Sequence, residues 1–225
     1  YKRQEATFPE ELHNVFRGME TNSNPLQIGL DKRFDWAEGM DLKTLAEDPE
    51  HEILFYVGCA GSFDDRGIPT TKAMIQIMRA AGVKFGLLGV EEGCCGETAR
   101  RLGNEYLAHA LIRQNIETFD RYKVTRIVTA CPHGYNTLTH EYPEFGGRYE
   151  VLHHTEFIAE LIRAGRLRLD GACPEKVAYH DSCYLGRYND LSTRPARSSA
   201  RYAASISSRR TATAGSHSAA APGAA

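Results

Sequence analysis

"VKFGLLGVEEGCCGETARRLGNEY", residues 83–106, runs from an apolar, β-forming stretch through two adjacent cysteines and a glycine into a helical pattern. Read as strand, loop and helix start, it predicts one unit of an alternating α/β chain. Cys94 and Cys95 fall in the loop, just ahead of the helix. Neighbouring cysteines are poor disulfide partners for each other, because the ring they would close is strained. Their partners must come from elsewhere in the chain.

The same alternation continues on both sides. "EILFYVG" (52–58) predicts a first buried strand, and "PTTKAMIQIMRAAG" (69–82) a helix with Pro69 near its start and Gly82 past its end. Residues 96–123 read as one long helix. "RIVTAC" (126–131) predicts a third strand followed by a short helix over 135–141. "YEVLHH" (149–154) predicts a fourth with its helix over 155–165, and "KVAYHDSC" (176–183) a fifth. Strands and helices joined by short links predict an α/β fold, a mostly parallel sheet with helices on both faces.

This arrangement gathers residues that are distant in sequence. Cys59 follows the first strand, Cys94 and Cys95 the second, Cys131 ends the third and Cys183 follows the fifth. In a parallel sheet these positions share one edge, where helix N-termini also converge and ligands bind. Backbone amides there favour anions and thiolates. A single cysteine at a strand end is more often a small buried apolar residue. Four at one edge point to a soft-metal centre, iron–sulfur or zinc. His153 and His154 end the fourth strand and are candidate catalytic proton donors, with satisfied structural histidines as the plainer alternative. Cys173 lies in a polar loop and is given no role.

Bulk properties narrow the class. The chain has 225 residues, 42% hydrophobic and 25% charged, as in an ordinary globular protein. A net charge of −2 argues against nucleic acid as a partner. No apolar run approaches the roughly 20 residues of a membrane span. Six cysteines in a chain that nothing marks as secreted read as metal or redox ligands rather than as three disulfides.

The domain reading has three parts. Residues 1–50 form a lead-in arm with an amphipathic helix near 9–18, and Trp36 packs the arm onto the core. Residues 51–190 form the cysteine-bearing domain. Residues 191–225 hold 11 Ala, 8 Ser, 5 Arg and no acidic residue, which predicts a disordered tail.

The cysteine pattern carries a family resemblance. Cys59, then after 34 residues Cys94–Cys95–Gly96, then Cys131–Pro132–His133, resembles the cysteine-rich CCG domain. That domain occurs in the B-type subunit of heterodisulfide reductases and in related iron–sulfur oxidoreductases. "YVGCAGSFDDR", "CCGETARRLGNEYL", "TACPHGYNTLTHEYP", "HHTEFIAELI" and "YHDSCYLGRYN" extend the likeness over nearly all of 50–190. The resemblance implies a 4Fe–4S-type cluster, non-cubane in heterodisulfide reductase, held by Cys59, Cys94, Cys95 and Cys131. It makes Cys183 the first metal ligand of a second motif. It implies electron transfer between a flavoprotein or dehydrogenase and a disulfide or quinone. Ferredoxin-like and membrane domains are expected upstream in the intact protein, which is then cytoplasmic or on the cytoplasmic face of the membrane.

Two departures stand out. The family usually reads Cys-Pro-x-Cys where this chain has "CPHG", so Gly134 replaces a fifth thiol. His133 beside it reads as a hydrogen-bond donor or helix-start residue, with ligation the less common role. The second motif also lacks its cysteine pair. Under one codon choice, residues 218–224 read one base earlier become Phe-Cys-Cys-Gly-Ala-Gly-Gly, so a frame change near Asp190 is expected, against a natural low-complexity tail. The rival functional readings are a non-catalytic zinc module, since four thiolates suit tetrahedral zinc, and an inactive truncated product.

Overall fold

Among the described residues, four short strands make one all-parallel sheet in the order β2-β1-β3-β4. They are β1 (Ile53–Tyr56), β2 (Phe85–Gly86), β3 (Arg126–Thr129) and β4 (Glu150–His153). Register pairs Leu54 with Gly86 on one side and Ile127 on the other, and Ile127 with Val151. The coordinates are a computed structural model, which describes residues 7–169 and 181–191. All four residues of β1 are buried, as expected of a strand covered on both faces.

The helices follow in order: α1 (Glu10–Asn22), α2 (Gly58–Phe63), α3 (Gly67–Ala80), α4 (Glu97–Arg101), α5 (Glu105–Arg121), α6 (Pro132–His140), α7 (His154–Arg163) and α8 (Cys183–Asn189). Side-chain alternation along β1 sorts them into two layers. Ile53, Phe55 and Val57 pack with Met74, Ile75 and Met78 of α3 and with Phe157 and Leu161 of α7. Leu54 and Tyr56 pack with Ile112 and Phe119 of α5 and Leu138 of α6. The expected α/β fold with helices on both faces is the fold found.

Several boundaries differ from expectation. The long helix of 96–123 is two helices, because Gly103 (φ +92°) turns the chain and the Asn104 side chain caps α5 by accepting from the Leu107 amide. The helix expected over 135–141 starts at Pro132, whose missing N–H suits a first turn, and is capped by Cys131. β2 shrinks to two residues because the chain turns, after two intervening residues, into a 3-10 helix (Gly89–Glu91), entered with Gly89 at φ +60°. Most of the fifth expected strand, 176–180, lies outside the described residues. Its end is not a strand: Ser182 precedes α8 and Cys183 is the helix's first residue. The tail from 192 onward also lies outside the described residues, and Leu191 packs against Leu185 and Tyr135.

The arm is built into the fold. A 3-10 helix (Leu30–Ala37) carries Trp36, 5% exposed, into the layer beside Ile53 and Phe55. α1 runs longer than the predicted 9–18 and lays Phe16 and Met19 over Cys94, Ala99, Leu107 and Leu111. Among the described residues no helix is long and apolar enough to cross a membrane.

The strand order creates the site. From β1 the chain moves one way, to β2. From β3 it moves the other way, to β4. The connections diverge at the C-terminal ends of β1 and β3, and such a switch point leaves a crevice for ligands.

Candidate metal centre

Cys59 lies in α2, just beyond β1, where Gly58 (φ +75°) bends the chain away from the strand. Cys131 lies two residues past the end of β3, as the N-cap of α6. These two residues stand at the two lips of the switch point. Cys94 and Cys95 enter from the loop between β2 and α4. The Cys59 and Cys94 thiols are close enough to shift each other's ionisation, and Cys95 acts on Cys94 in the same way. Cys131 is close enough to feel the charge of Cys59. All five described cysteines are free thiols. The structure thus sets Cys59 and Cys131 at the two lips of the switch point, with the doublet loop beside Cys59.

The doublet loop is held from behind by a buried polar network. The Tyr56 hydroxyl donates to the Gly93 carbonyl at 2.6 Å. The Asn115 side chain accepts from the Gly93 amide at 3.1 Å and donates to the Cys94 carbonyl at 2.8 Å. Asn115 also donates to the Tyr142 hydroxyl, which donates to the Cys95 carbonyl at 3.4 Å. The network engages backbone groups from Gly93 to Cys95 and leaves their sulfurs out of it. Gly96 (φ +87°) then turns the chain into α4.

A buried ion pair sits beside the network. Glu92 accepts from the amides of Val57 and Gly58 at 2.9 and 2.8 Å, so it ties the doublet loop to the end of β1. Arg33, from the arm, pairs with Glu92 at 3.3 Å; their side chains are 1% and 3% exposed. The same guanidinium nitrogen reaches the Cys59 sulfur at 3.6 Å and the Gly93 carbonyl at 3.2 Å. Burial disfavours the charged guanidinium, but Glu92 and Cys59 outweigh it and keep Arg33 charged. Burial pushes the Glu92 carboxyl up, against Arg33 and the two amides.

Three of the thiols are held protonated by their surroundings. Contact with Cys94, and then burial, pushes Cys59 well up. For Cys94, the bond from Cys59 lowers the value, while Cys95 and burial together raise it further. Burial raises Cys131, against the amides of Gly134 and His133. Clustered sulfurs that do not ionise by themselves are a donor set in search of positive charge, which a bound metal supplies as it displaces the protons. The residues therefore fit a soft metal centre. Among the described residues no group of three or more His, Cys, Asp or Glu is arranged to hold one metal ion. Ligands of one zinc share a single centre at about 2.3 Å, whereas in an iron–sulfur cluster each thiolate takes its own iron.

Other expected residues fall elsewhere. Cys183 is exposed at the first residue of α8, and no hydrogen bond joins its thiol to the other four among the described residues. His133 is in the first turn of α6 with its ring edge-on to Tyr184 at 4.5 Å. Gly134 donates its amide to the Cys131 sulfur at 3.4 Å. The His153 ring bonds Thr155 Oγ1 at 2.8 Å and the Ala130 carbonyl at 3.2 Å. Burial, and then His154, lowers His153 to about 3; burial lowers His154 to about 4. Both are neutral near pH 7, so neither holds the second proton of an imidazolium. Sequence reading missed Arg33, Glu92, Asn115, Tyr56 and Tyr142.

Residues 53–139, which hold all four clustered cysteines, match the family model of the cysteine-rich domain, CCG. Over those residues the chain resembles a CCG domain. Its curated relatives include an "EtfAB:quinone oxidoreductase" from Syntrophomonas wolfei, 45% identical over 85% of this chain and 28% of that protein. Another is "Probable iron-sulfur-binding oxidoreductase FadF" from Bacillus subtilis, 39% identical over 83% of this chain and 28% of that one. A third is a chain of the dihydromethanophenazine:CoB–CoM heterodisulfide reductase from Methanosarcina barkeri, 28% identical over 73% of this chain and 40% of that one. The chain thus spans under a third of the first two relatives and well under half of the third. The match to these relatives reaches well beyond 53–139, so the likeness is not confined to the cysteine motif. No solved structure shows a significant match.

Proposed function

We propose that Cys59, Cys94, Cys95 and Cys131 hold a 4Fe–4S-type cluster and that the CCG domain passes electrons within a heterodisulfide reductase-like oxidoreductase. The donor is a flavoprotein or dehydrogenase and the acceptor a disulfide or a quinone. The observation that carries this reading is the meeting of four unpaired thiols at the β1/β3 switch point. Relatives named for a quinone and for a heterodisulfide support the two acceptor classes, and a relative named as iron–sulfur-binding supports the metal. None of these names favours zinc.

The chain's residues divide the work. A bound cluster supplies a store for single electrons, its potential set by ligands, hydrogen bonds and burial. The thiolates of Cys59 and Cys131 would hold it from the two sheet-edge turns, and those of the doublet from the loop held by Tyr56, Asn115 and Tyr142. α1 and the apolar residues under it exclude water from the Cys94 side. Cys183 belongs to a second motif rather than to this centre. A quinone acceptor is dissolved in the bilayer, which favours the cytoplasmic membrane face over the open cytoplasm as the place of work.

The test is anaerobic reconstitution with iron and sulfide, followed by rapid mixing of the reduced protein with a short-chain quinone or with a disulfide. A brown protein with broad absorbance near about 400 nm, bleached on reduction and restored by one of the two acceptors, is the expected result. A colourless protein carrying one zinc per chain would falsify the reading.

A further inference from the structure

We propose that Arg33 is a positioning residue of the metal centre: it fixes Cys59 against the doublet loop and keeps a positive charge beside the cluster that favours its reduced state. The inference rests on the reading of the four cysteines as cluster ligands, and concerns a residue of the arm, outside the matched CCG segment.

The geometry is unusual for a plain structural ion pair. An arginine beside a carboxylate usually bonds both its oxygens in a fork. Here Glu92 gives only Oε1 to Arg33, while both its oxygens serve backbone amides at the end of β1. Nη2 is thereby shared with the Cys59 sulfur and the Gly93 carbonyl. Nη1 returns to the arm, bonding the Ser23 carbonyl at 3.2 Å. The guanidinium also lies over the ring of Phe63, at 5.6 Å, on the same helix as Cys59. One planar cation therefore ties three segments: the arm, the Cys59 turn and the doublet loop.

The electrostatic consequence follows from charge counting. Reduction by one electron makes the cluster with its thiolates one unit more negative. A fixed cation in contact with a ligand sulfur stabilises that state more than the oxidised one, and a buried cation is weakly screened. A donor to the sulfur acts in the same direction. Lysine keeps the charge but cannot make the planar set of contacts.

Redox titration of the reconstituted full chain, followed optically, tests this. Arg33→Gln is expected to cut the reduced fraction at a fixed potential at least tenfold, about a 59 mV fall for one electron. Arg33→Lys is expected to keep the potential within half of that shift and yet lose iron to a chelator several-fold faster than the wild type. If Arg33→Gln does not fold, Glu92→Gln serves instead: it removes the competing carboxylate, so the potential is expected to rise. An unchanged potential in a folded, cluster-bearing Arg33→Gln or Glu92→Gln protein overturns the proposal, as does an equal fall in the Lys and Gln variants. A wild-type chain that takes up no cluster overturns the cysteine assignment together with this proposal, and so is told apart from an error about Arg33 alone.

Discussion

Asn115 shows how much of the site depends on one side chain without a thiol. It is fully buried and partners the Gly93 amide, the Cys94 carbonyl and the Tyr142 hydroxyl. Asn115→Leu keeps the volume but strands those three groups away from water. The expected loss of stability is about 2–4 kcal/mol, given roughly 1–3 kcal/mol for a buried group left unsatisfied and some relaxation. Urea unfolding followed by Trp36 emission measures it. Gly93 is bound by the same contact, since a Cβ there would stand 2.7 Å from Asn115 Oδ1. Gly134 is the opposite case. A Cβ there meets nothing closer than 3.5 Å and stands 3.9 Å from the Cys131 sulfur. Gly134→Cys is therefore expected to fold within about 1 kcal/mol of the wild type, as substitutions that neither clash nor leave a cavity do. It restores the thiol of the usual family pattern, and a changed cluster spectrum on reconstitution is the readout. A loss of stability like that expected of Asn115→Leu would show that the space at Gly134 is not real. Asn115 was legible in principle, because it interrupts the apolar stripe Leu107, Leu111, Phe119 of α5. Arg33 was not: in "GLDKRFDW" it looks like one more solvated charge among Asp31, Lys32 and Asp35.

At the scale of elements, the strands were readable because each is an apolar run flanked by turn residues, and β1, β3 and β4 lie where those runs lie. What periodicity could not supply was the break at Gly103–Asn104, where a helical stripe continues in phase across two helices, and the shortness of β2, which depends on the φ of Gly89. The arm is the larger surprise. Its expected role was packing, through Trp36. In the fold it also covers the cysteines with α1 and delivers Arg33 to them. Trp36→Ala is expected to destabilise the whole cooperative unit by about 3–5 kcal/mol, the usual range for removing a large buried aromatic. Far-UV circular dichroism and hydrogen exchange at β1 are expected to report the same midpoint. Separate transitions, with the arm melting first and the sheet unaffected, would contradict this cooperative role of the arm.

For the molecule as a whole, parallel topology is what turned a scattered cysteine pattern into a place, and that much was visible from alternation alone. The supporting network was not, because it depends on which residues the folded chain brings behind the loop. The histidine pair gives the whole fold a pH dependence. His153 and His154 are neutral in the folded state down to about 3 and about 4. In the unfolded chain each takes a proton near about pH 6.5. The unfolded state thus binds more protons below that pH, so stability is complete above it and falls as the pH drops toward about 4. The slope is at most about 1.4 kcal/mol per pH unit for each histidine. Urea midpoints from about pH 7.5 to about pH 5 are expected to decline, and less steeply in His154→Gln; a flat profile would count against buried neutral histidines. The central claim is that four thiols grip one cluster together. Iron and acid-labile sulfide per chain after anaerobic reconstitution, compared among wild type, the single variants Cys59→Ser, Cys94→Ser, Cys95→Ser and Cys131→Ser, and Cys173→Ser as control, tests it most directly. The predicted result is that the wild type and the control bind iron and sulfide in equal amounts, and that each of the four variants loses most of both. Full retention of both in the Cys59→Ser or Cys131→Ser protein would contradict it.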